Sequence, residues 1–291
     1  MPPAAVAIEH GDQALDPRRA LAGHRRGQCT RIDDGHLPIL GLNNAGGYNP
    51  VRYLAPDPRL MPRGPHELRT LTDLYRRHGI AVILDVVYNH TGEGDANGPV
   101  LSLKGLDART YYRHAEVDGQ QVLVNDTGTG NTLRCDHPAT QRLVLESLRY
   151  WVEETGVSGF RFDLATVLGR EPGFNPDAAM LRMIKADPLL SKAILVAEPW
   201  DPGPGGYQLG QFGKEFREWN DTYRDEIRSF WQGVDGKIGA LAGKVAGSAE
   251  IFNFAGRKPS AGVDFLAVHE GFTLADLVSY NDKHNEANVE D

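Results

Sequence analysis

The chain has 291 residues, with 31 basic against 39 acidic side chains and a formal net charge of −8. That excess of carboxylates, with Lys and Arg scattered among them, argues against nucleic acid or another polyanion as partner. At 41% hydrophobic and 24% charged, the composition suits a globular protein with a sizeable core and not a disordered chain.

The longest strongly apolar stretch, Ile80 to Val87, contains Asp85 and falls far short of the roughly 20 residues that span a bilayer. The N-terminal MPPAAVAIEHGDQ has no basic start followed by an apolar run. No membrane partner is expected, and the cytoplasm is the default location. Cys29 and Cys135 are too few for a disulfide framework or a thiolate metal site.

Residues 1–40 show neither a period of two nor one near 3.6 and stay unassigned. GLNNAGGYNPVRYLAPDPRLMPRGP, from Gly41, is rich in Gly, Asn and Pro and reads as an ordered loop. In HELRTLTDLYRRHG the apolar Leu68, Leu71, Leu74 and Tyr75 recur at three and four, a helix that Gly79 is placed to end. IAVILDVVYNH then reads as a strand buried on both faces of a parallel sheet.

After about fifty residues rich in Gly, Asp, Asn and Thr, the alternation resumes. QRLVLESLRYWVEETG is a helix ending at Gly156 and VSGFRFDLA a strand; NPDAAMLRMIKADPLL is a helix and SKAILVAEPW a strand. KEFREWNDTYRDEIRSFWQG and KIGALAGKVAG read as further helices, and GVDFLAVHE as one more buried strand. Helix followed by buried strand, three times over, points to right-handed βαβ units around a parallel sheet. The long segment of about residues 91–137 follows a strand, where a (β/α) barrel builds its binding face, and is expected to be a loop insertion lining a cleft.

Ionisable residues gather at the C-terminal ends of these strands: Asp85 with Asn89 and His90, Arg161 with Asp163, Glu198, and His269 with Glu270. An ionisable group in an apolar strand costs several kcal/mol unless paired or solvated, so this recurrence calls for a common site. Arg161 and Asp163 are two apart, so in a strand they share a face, and the guanidinium would keep Asp163 ionised. Glu198, near the charge of Asp163 in a partly apolar setting, would stay protonated. One ionised and one neutral carboxyl is what glycoside hydrolysis with retention requires, with Asp163 as nucleophile and Glu198 as acid and then base. Each group also has a plainer reading. Asp85 can be an acceptor that anchors a loop, His90 a satisfied loop histidine, and Arg161 with Asp163 a buried structural ion pair.

DVVYNH (85–90), GFRFDLA (159–165), AEPW (197–200) and VHEGFTLADLVSYNDKHNEAN (268–288) resemble, in order, the four sequence regions of the α-amylase superfamily, glycoside hydrolase family 13. GYNPVRYLAPDPR, NDTGTGNTLRCDHP, WDPGPGGYQLGQF and EWNDTYRDEIRSFW are similar to its glycogen debranching and isoamylase branch in particular. The resemblance runs from about Gly41 to Asp291. It implies a (β/α)8 TIM barrel present in part, about the third to the seventh strand, with residues 41–291 as the catalytic domain. It also implies hydrolysis of α-1,6 branch linkages of glycogen or limit dextrin through a covalent glucosyl intermediate, with an α-glucan as partner and no organic cofactor.

Residue by residue, Asp163 matches the family's nucleophile and Glu198 its acid/base. Arg161, His90 and His269 match residues that position the nucleophile or clamp the sugar, and Asp85 matches a partly structural aspartate. Many α-amylases hold calcium near the position of Asn89, the debranching branch less consistently, and no metal site is expected. In place of the fourth region's His-Asp the chain has His269-Glu270. Its extra methylene would move by more than about an angstrom a carboxylate that grips sugar hydroxyls in the transition state. AGGYNP (45–50) lacks an aromatic residue of the family's loop, and Val289 stands where the family usually has Gly. Glucan transfer instead of hydrolysis, and a silent chain that only binds glucan, remain the alternatives at this point.

Overall fold

The computed structural model describes residues 5–7, 48–269, 271–280 and 282. The first strand, β1 (Ala5–Ala7), lies within the segment that carried no legible pattern. Helix α1 (His66–Arg77) buries Leu68, Leu71 and Tyr75 along one stripe, and Gly79 takes a positive φ of 71° just beyond it. Strand β2 (Ala81–Val86) is buried along its whole length, as its unbroken apolar run requires.

The segment expected as one loop insertion has structure of its own. It holds helix α2 (Leu103–Tyr111), broken at Asp107, and an antiparallel hairpin of β3 (His114–Val117) and β4 (Gln120–Leu123). Its alternation is short and largely exposed, so no apolar face announced it.

Helix α3 (Pro138–Thr155) begins with proline in its first turn behind the His137 cap, and Gly156 ends it in the left-handed region at φ 67°. Its buried Val144, Leu145, Leu148 and Trp151 face the core beneath α1, and the Trp151 indole donates to the Tyr53 carbonyl at 2.8 Å. Truncating a fully buried tryptophan of this kind to alanine costs about 3–5 kcal/mol. Strand β5 (Gly159–Phe162) follows, and no Cβ fits at Gly159, because it would sit 2.1 Å from the Ile194 carbonyl oxygen. Helix α4 (Ala179–Ala186) is shorter than its sequence pattern. Pro188 cannot continue it, and Asp187 before that proline is extended. Strand β6 (Ile194–Ala197) comes next.

Two corrections fall in the last third of the chain. Phe216–Asn220, read as the start of a helix, is strand β7, with Phe216, Glu218 and Asn220 buried on one face, and helix α5 (Asp221–Trp231) starts only after Asn220 caps it. Charged residues in FREWN and the amphipathic sequence behind them masked the period of two. After α6 (Ile238–Val245) and α7 (Ala249–Phe252), the strand read into GVDFLAVHE is β8, Gly262–Asp264 alone, and only half-buried. The chain leaves the sheet at Phe265, whose ring packs against Trp219. A short helix, α8 (Leu274–Leu277), lies beyond.

Six strands form one parallel sheet in the order β1, β2, β5, β6, β7, β8, with helices in every crossover except that from β6 to β7, which is a loop. This is an arc of a (β/α) barrel, at the upper end of the five or six strands expected, because Ala5–Ala7 pairs in parallel with Ala81–Ile83. The core lies between the sheet and α1, α3 and α4. No helix of the described residues is long and apolar enough to cross a membrane.

Candidate functional site

The sheet's ladder itself delivers the candidate carboxylates to one place. Across β2 and β5 the register sets Asp85 opposite Arg161. The pairing then continues one residue past each strand: Asp163 N–H donates to the Val86 carbonyl at 3.0 Å, and Glu198 N–H to the Phe162 carbonyl at 3.0 Å. Both side chains therefore leave the same C-terminal rim, where ligands of parallel α/β folds bind.

Arg161 joins them. Its Nη1 donates to Asp85 Oδ1 at 3.0 Å and to Asp163 Oδ1 at 2.9 Å, and its Nη2 lies 2.8 Å from Glu198 Oε2. That last contact is one of charge and lacks the alignment of a hydrogen bond, so Nε and Nη2 have no hydrogen-bond partner among the described residues. Glu198 Oε2 also accepts the Leu164 N–H at 2.8 Å, and Asp85 Oδ2 accepts the Tyr48 hydroxyl at 2.8 Å. Burial works against the Arg161 charge, but Asp85, Glu198, Tyr48 and Asp163 outweigh it and hold the guanidinium protonated. Asp163 keeps 13% of its side-chain surface open, against 7% for Asp85, 4% for Arg161 and 2% for Glu198. It is the carboxylate most open to an incoming molecule.

Asn89 and His90 complete this wall. Asn89 Nδ2 donates to both the backbone carbonyl and the Oδ2 of Asp163, at 2.8 Å each, and Asn89 Oδ1 meets Nδ1 of the His90 ring. Burial opposes ionisation of Asp163, yet Arg161, His90, the Asn89 hydrogen bond and His269 together hold its carboxyl below the usual carboxylate value. Burial pushes the His90 imidazole below its ordinary pKa, with Asp163 and the Tyr48 backbone opposing. His90 Nε2 is buried with no well-formed hydrogen bond among the described residues.

An aromatic layer closes the other side. The Tyr48 ring stacks on His269 with centroids 5.0 Å apart at 19°, and Trp219, on β7, lies 6.0 Å from His269 and covers Arg161 at 4.2 Å. Leaving the sheet early is thus what carries His269 under Tyr48.

The surrounding loops are fastened by buried polar groups. Glu93 accepts the N–H groups of Leu101, Ser102 and Lys104 and the Tyr112 hydroxyl. Asn131 binds both the N–H and the carbonyl of Thr91, and the Leu133 N–H donates to the Asn89 carbonyl at 2.8 Å, which pins the turn carrying Asn89 and His90. Arg170 grips Asp201 with two hydrogen bonds, at 2.9 and 2.6 Å, behind Glu198. A separate groove of about 870 Å³ runs between the β3–β4 hairpin and residues 125–130, lined in part by His114, Gln121 and Asn125. Asp85, Asp163 and Glu198 do not border it.

Asp85, His90, Arg161, Asp163 and Glu198 come together in this arrangement, with His269 at its aromatic side. Glu270 and Val289 lie outside the described residues, as do Ala45, Gly46 and Gly47 of the AGGYNP loop. Sequence reasoning missed three partners. Tyr48 was seen only as the remnant of a depleted aromatic loop, Trp219 was assigned to a helix, and Asn89 was noted without its hold on Asp163. A period-two reading of FREWN would have aimed Trp219 away from Glu218 and towards the face opposite it.

Among the described residues no group of three or more His, Cys, Asp or Glu side chains is arranged to hold a metal ion. Asn89 has both ends of its amide engaged by His90 and Asp163.

The fold and this rim define a partial (β/α) barrel with acidic groups gathered at the C-terminal ends of its strands. No family model matches the chain. It is 48% identical over 259 residues to a "Glycogen debranching enzyme" of Serratia proteamaculans and 45% identical over 265 residues to a "Glycogen operon protein GlgX homolog" of Mycobacterium bovis. These matches cover 87% and 89% of the chain but 39% and 37% of the relatives, so the chain spans about two fifths of their length. Among solved structures, a pullulanase from Anoxybacillus superposes with a TM-score of 0.66 at 26% identity, over 84% of this chain and 37% of that one. Over most of its length the chain is thus similar to one part of the glycogen debranching enzymes, and it shares its fold with part of a pullulanase.

Proposed function

We propose that this site hydrolyses α-1,6 branch linkages of glycogen or limit dextrin with retention of configuration. The observation that carries the proposal is the sharing of one guanidinium by Asp163 and Glu198 at the ends of neighbouring strands. Retaining glycosidases hold two carboxyl groups about 5–5.5 Å apart. Two carboxylates on adjacent nitrogens of one guanidinium suit that spacing.

Asp163, held ionised and the most open of the group, attacks the glucosyl anomeric carbon. The bond to the branch-point oxygen breaks as Glu198 gives that oxygen its proton. Water then attacks the same carbon, loses a proton to Glu198 and frees Asp163. Donation requires Glu198 to arrive protonated and released from Arg161 Nη2, a contact of charge that no hydrogen bond reinforces. His90 Nε2 and the Tyr48–His269 stack offer a hydrogen-bond acceptor and an aromatic face to the sugar of the cleaved glucosyl unit. The relatives' name, glycogen debranching enzyme, and the Anoxybacillus pullulanase complexed with maltotetraose support an α-glucan as ligand.

The test is incubation with a branched glucan, reading new reducing ends and released linear chains. Release that vanishes in Asp163→Asn supports the assignment, whereas release that persists removes Asp163 as nucleophile. No release from the unmodified chain would leave a silent glucan binder. Glu270→Asp should raise the rate, by up to about 100-fold if the extra methylene misplaces the carboxylate.

A further inference from the structure

Three carboxylates meet the edge of the Arg161 guanidinium, and its flat face is covered by Trp219. The guanidinium carbon lies 4.2 Å from the indole centroid, well within the roughly 6 Å reach of a cation–π contact, while Tyr48 approaches the same carbon only to 6.0 Å. With Nε and Nη2 buried and without hydrogen bonds among the described residues, the ring supplies compensation that hydrogen bonds do not. Trp219 is itself held firmly. It pairs with Val263 of β8 and sits 5.3 Å from the Phe265 ring. Its strand neighbours Glu218 and Asn220, on the opposite face, are tied to Arg257 and to Ser248 with Asp264.

We infer that Trp219 is a positioning residue for the carboxylate cluster: its indole fixes the plane of the Arg161 guanidinium so that one cation reaches Asp85, Asp163 and Glu198 together. Without the ring, the guanidinium can turn about its side-chain bonds and take up water, and Asp163 loses part of its strongest cationic neighbour. The kinetic consequence rests on the hydrolytic proposal, but the ionic consequence does not. The other groups that face Asp163 are His90 and Asn89 after β2 and His269 after β8, and Asp85 and Glu198 compete for the same guanidinium. Of these, His269 also has its ring beside the indole, with centroids 6.0 Å apart, so its own imidazole resonance serves as a control.

The experiment follows the Asp163 carboxyl by carbon NMR through a pH titration of the full chain, in the unmodified protein, Trp219→Phe and Trp219→Leu. Without the indole, Asp163 should take up its proton at about tenfold lower acidity, with the phenyl ring in between. If the leucine variant does not fold, biosynthetic fluorotryptophans of increasing fluorine content weaken the ring face without changing its shape, and the titration should rise in steps. An Asp163 titration unmoved in the leucine variant, or flat across the fluorinated series, overturns the inference. On a branched glucan, the leucine variant should lose about tenfold in kcat with KM changed less than about twofold, and phenylalanine should recover most of it. A loss confined to KM would overturn a positioning role. An unmodified protein without hydrolysis would end the hydrolytic proposal and leave the titration to judge Trp219.

Discussion

Asn89 holds Asp163 at two points at once, its Nδ2 donating to the carboxylate and to the backbone carbonyl of the same residue at 2.8 Å each. The first bond stabilises the anion, and the second fixes the turn that aims it. Asn89→Ala removes both. A hydrogen bond to a charged group contributes about 1.5–3 kcal/mol, so kcat on a branched glucan should fall by about 10- to 100-fold. The Asp163 carboxyl should also titrate at higher pH. A variant within twofold of the parent would show that Arg161 alone suffices.

Among the described residues Arg161 is the one cation that touches Asp85, Asp163 and Glu198, and its side chain is 4% exposed. Arg161→Met strands three acidic groups in a poorly solvated rim. Breaking a buried ion pair from one side costs about 3–5 kcal/mol. Denaturant unfolding at pH 7 should reveal a loss of that size, shrinking towards pH 5 as the carboxylates neutralise. A loss that does not depend on pH would mean the arginine acts through packing and not through charge.

The parts of this site that the sequence made legible are those where one residue type carries a costly charge in an apolar run. Asp85 inside β2, and Asp163 and Glu198 just past β5 and β6, stood out because burial without a partner is expensive. Gly156 and the apolar stripe of α3 were legible because helix period and cap chemistry agree. Trp219 was not legible. FREWN mixes Arg217 and Glu218 with apolar residues, and Glu218 is buried only because Arg257, 39 positions later, neutralises it. Ala5–Ala7 has no side-chain signature at all, and its strand exists by pairing with β2. Local pattern cannot report a partner that distant.

His90 gives the stability curve a defined acid slope. Its folded pKa lies below the unfolded value of about 6.5 because burial disfavours the imidazolium. As pH falls below about 6.5, the unfolded chain takes up a proton that the folded chain resists, and stability drops until the folded pKa is passed. His90→Gln removes that term. The stability of the parent relative to His90→Gln should therefore fall between pH 7.5 and 5.5, measured by urea unfolding across that range. A difference that grows on acidification would mean that Asp163 outweighs burial and raises the pKa. Below about pH 4 a second loss sets in for the parent, because the unfolded Asp163 takes up a proton that the folded carboxyl, its pKa depressed beside Arg161, still resists.

Glu218 and Arg257 form a second buried pair, 0% and 1% exposed, that clamps the two peptide groups flanking one residue of the loop running on from Glu198. Glu218 accepts the Gly210 N–H, and Arg257 Nη1 donates to the Gly210 carbonyl at 2.7 Å. Gly210 itself is at φ 90°, where a side chain would be strained and would press on Ile251. Burial raises the Glu218 pKa, with Arg257 and the backbone donors opposing, so removing the arginine leaves an acid that resists ionisation where it stands. Arg257→Met should cost about 3–5 kcal/mol at pH 7, and adding Glu218→Gln should return much of it, since a stranded charge and not lost packing is the larger part. If the pair serves only the fold, glucan hydrolysis per folded molecule will match the parent in the double variant. If it also steadies the loop behind Glu198, kcat will fall while the melting temperature recovers, and measuring both on the same preparation separates the two roles.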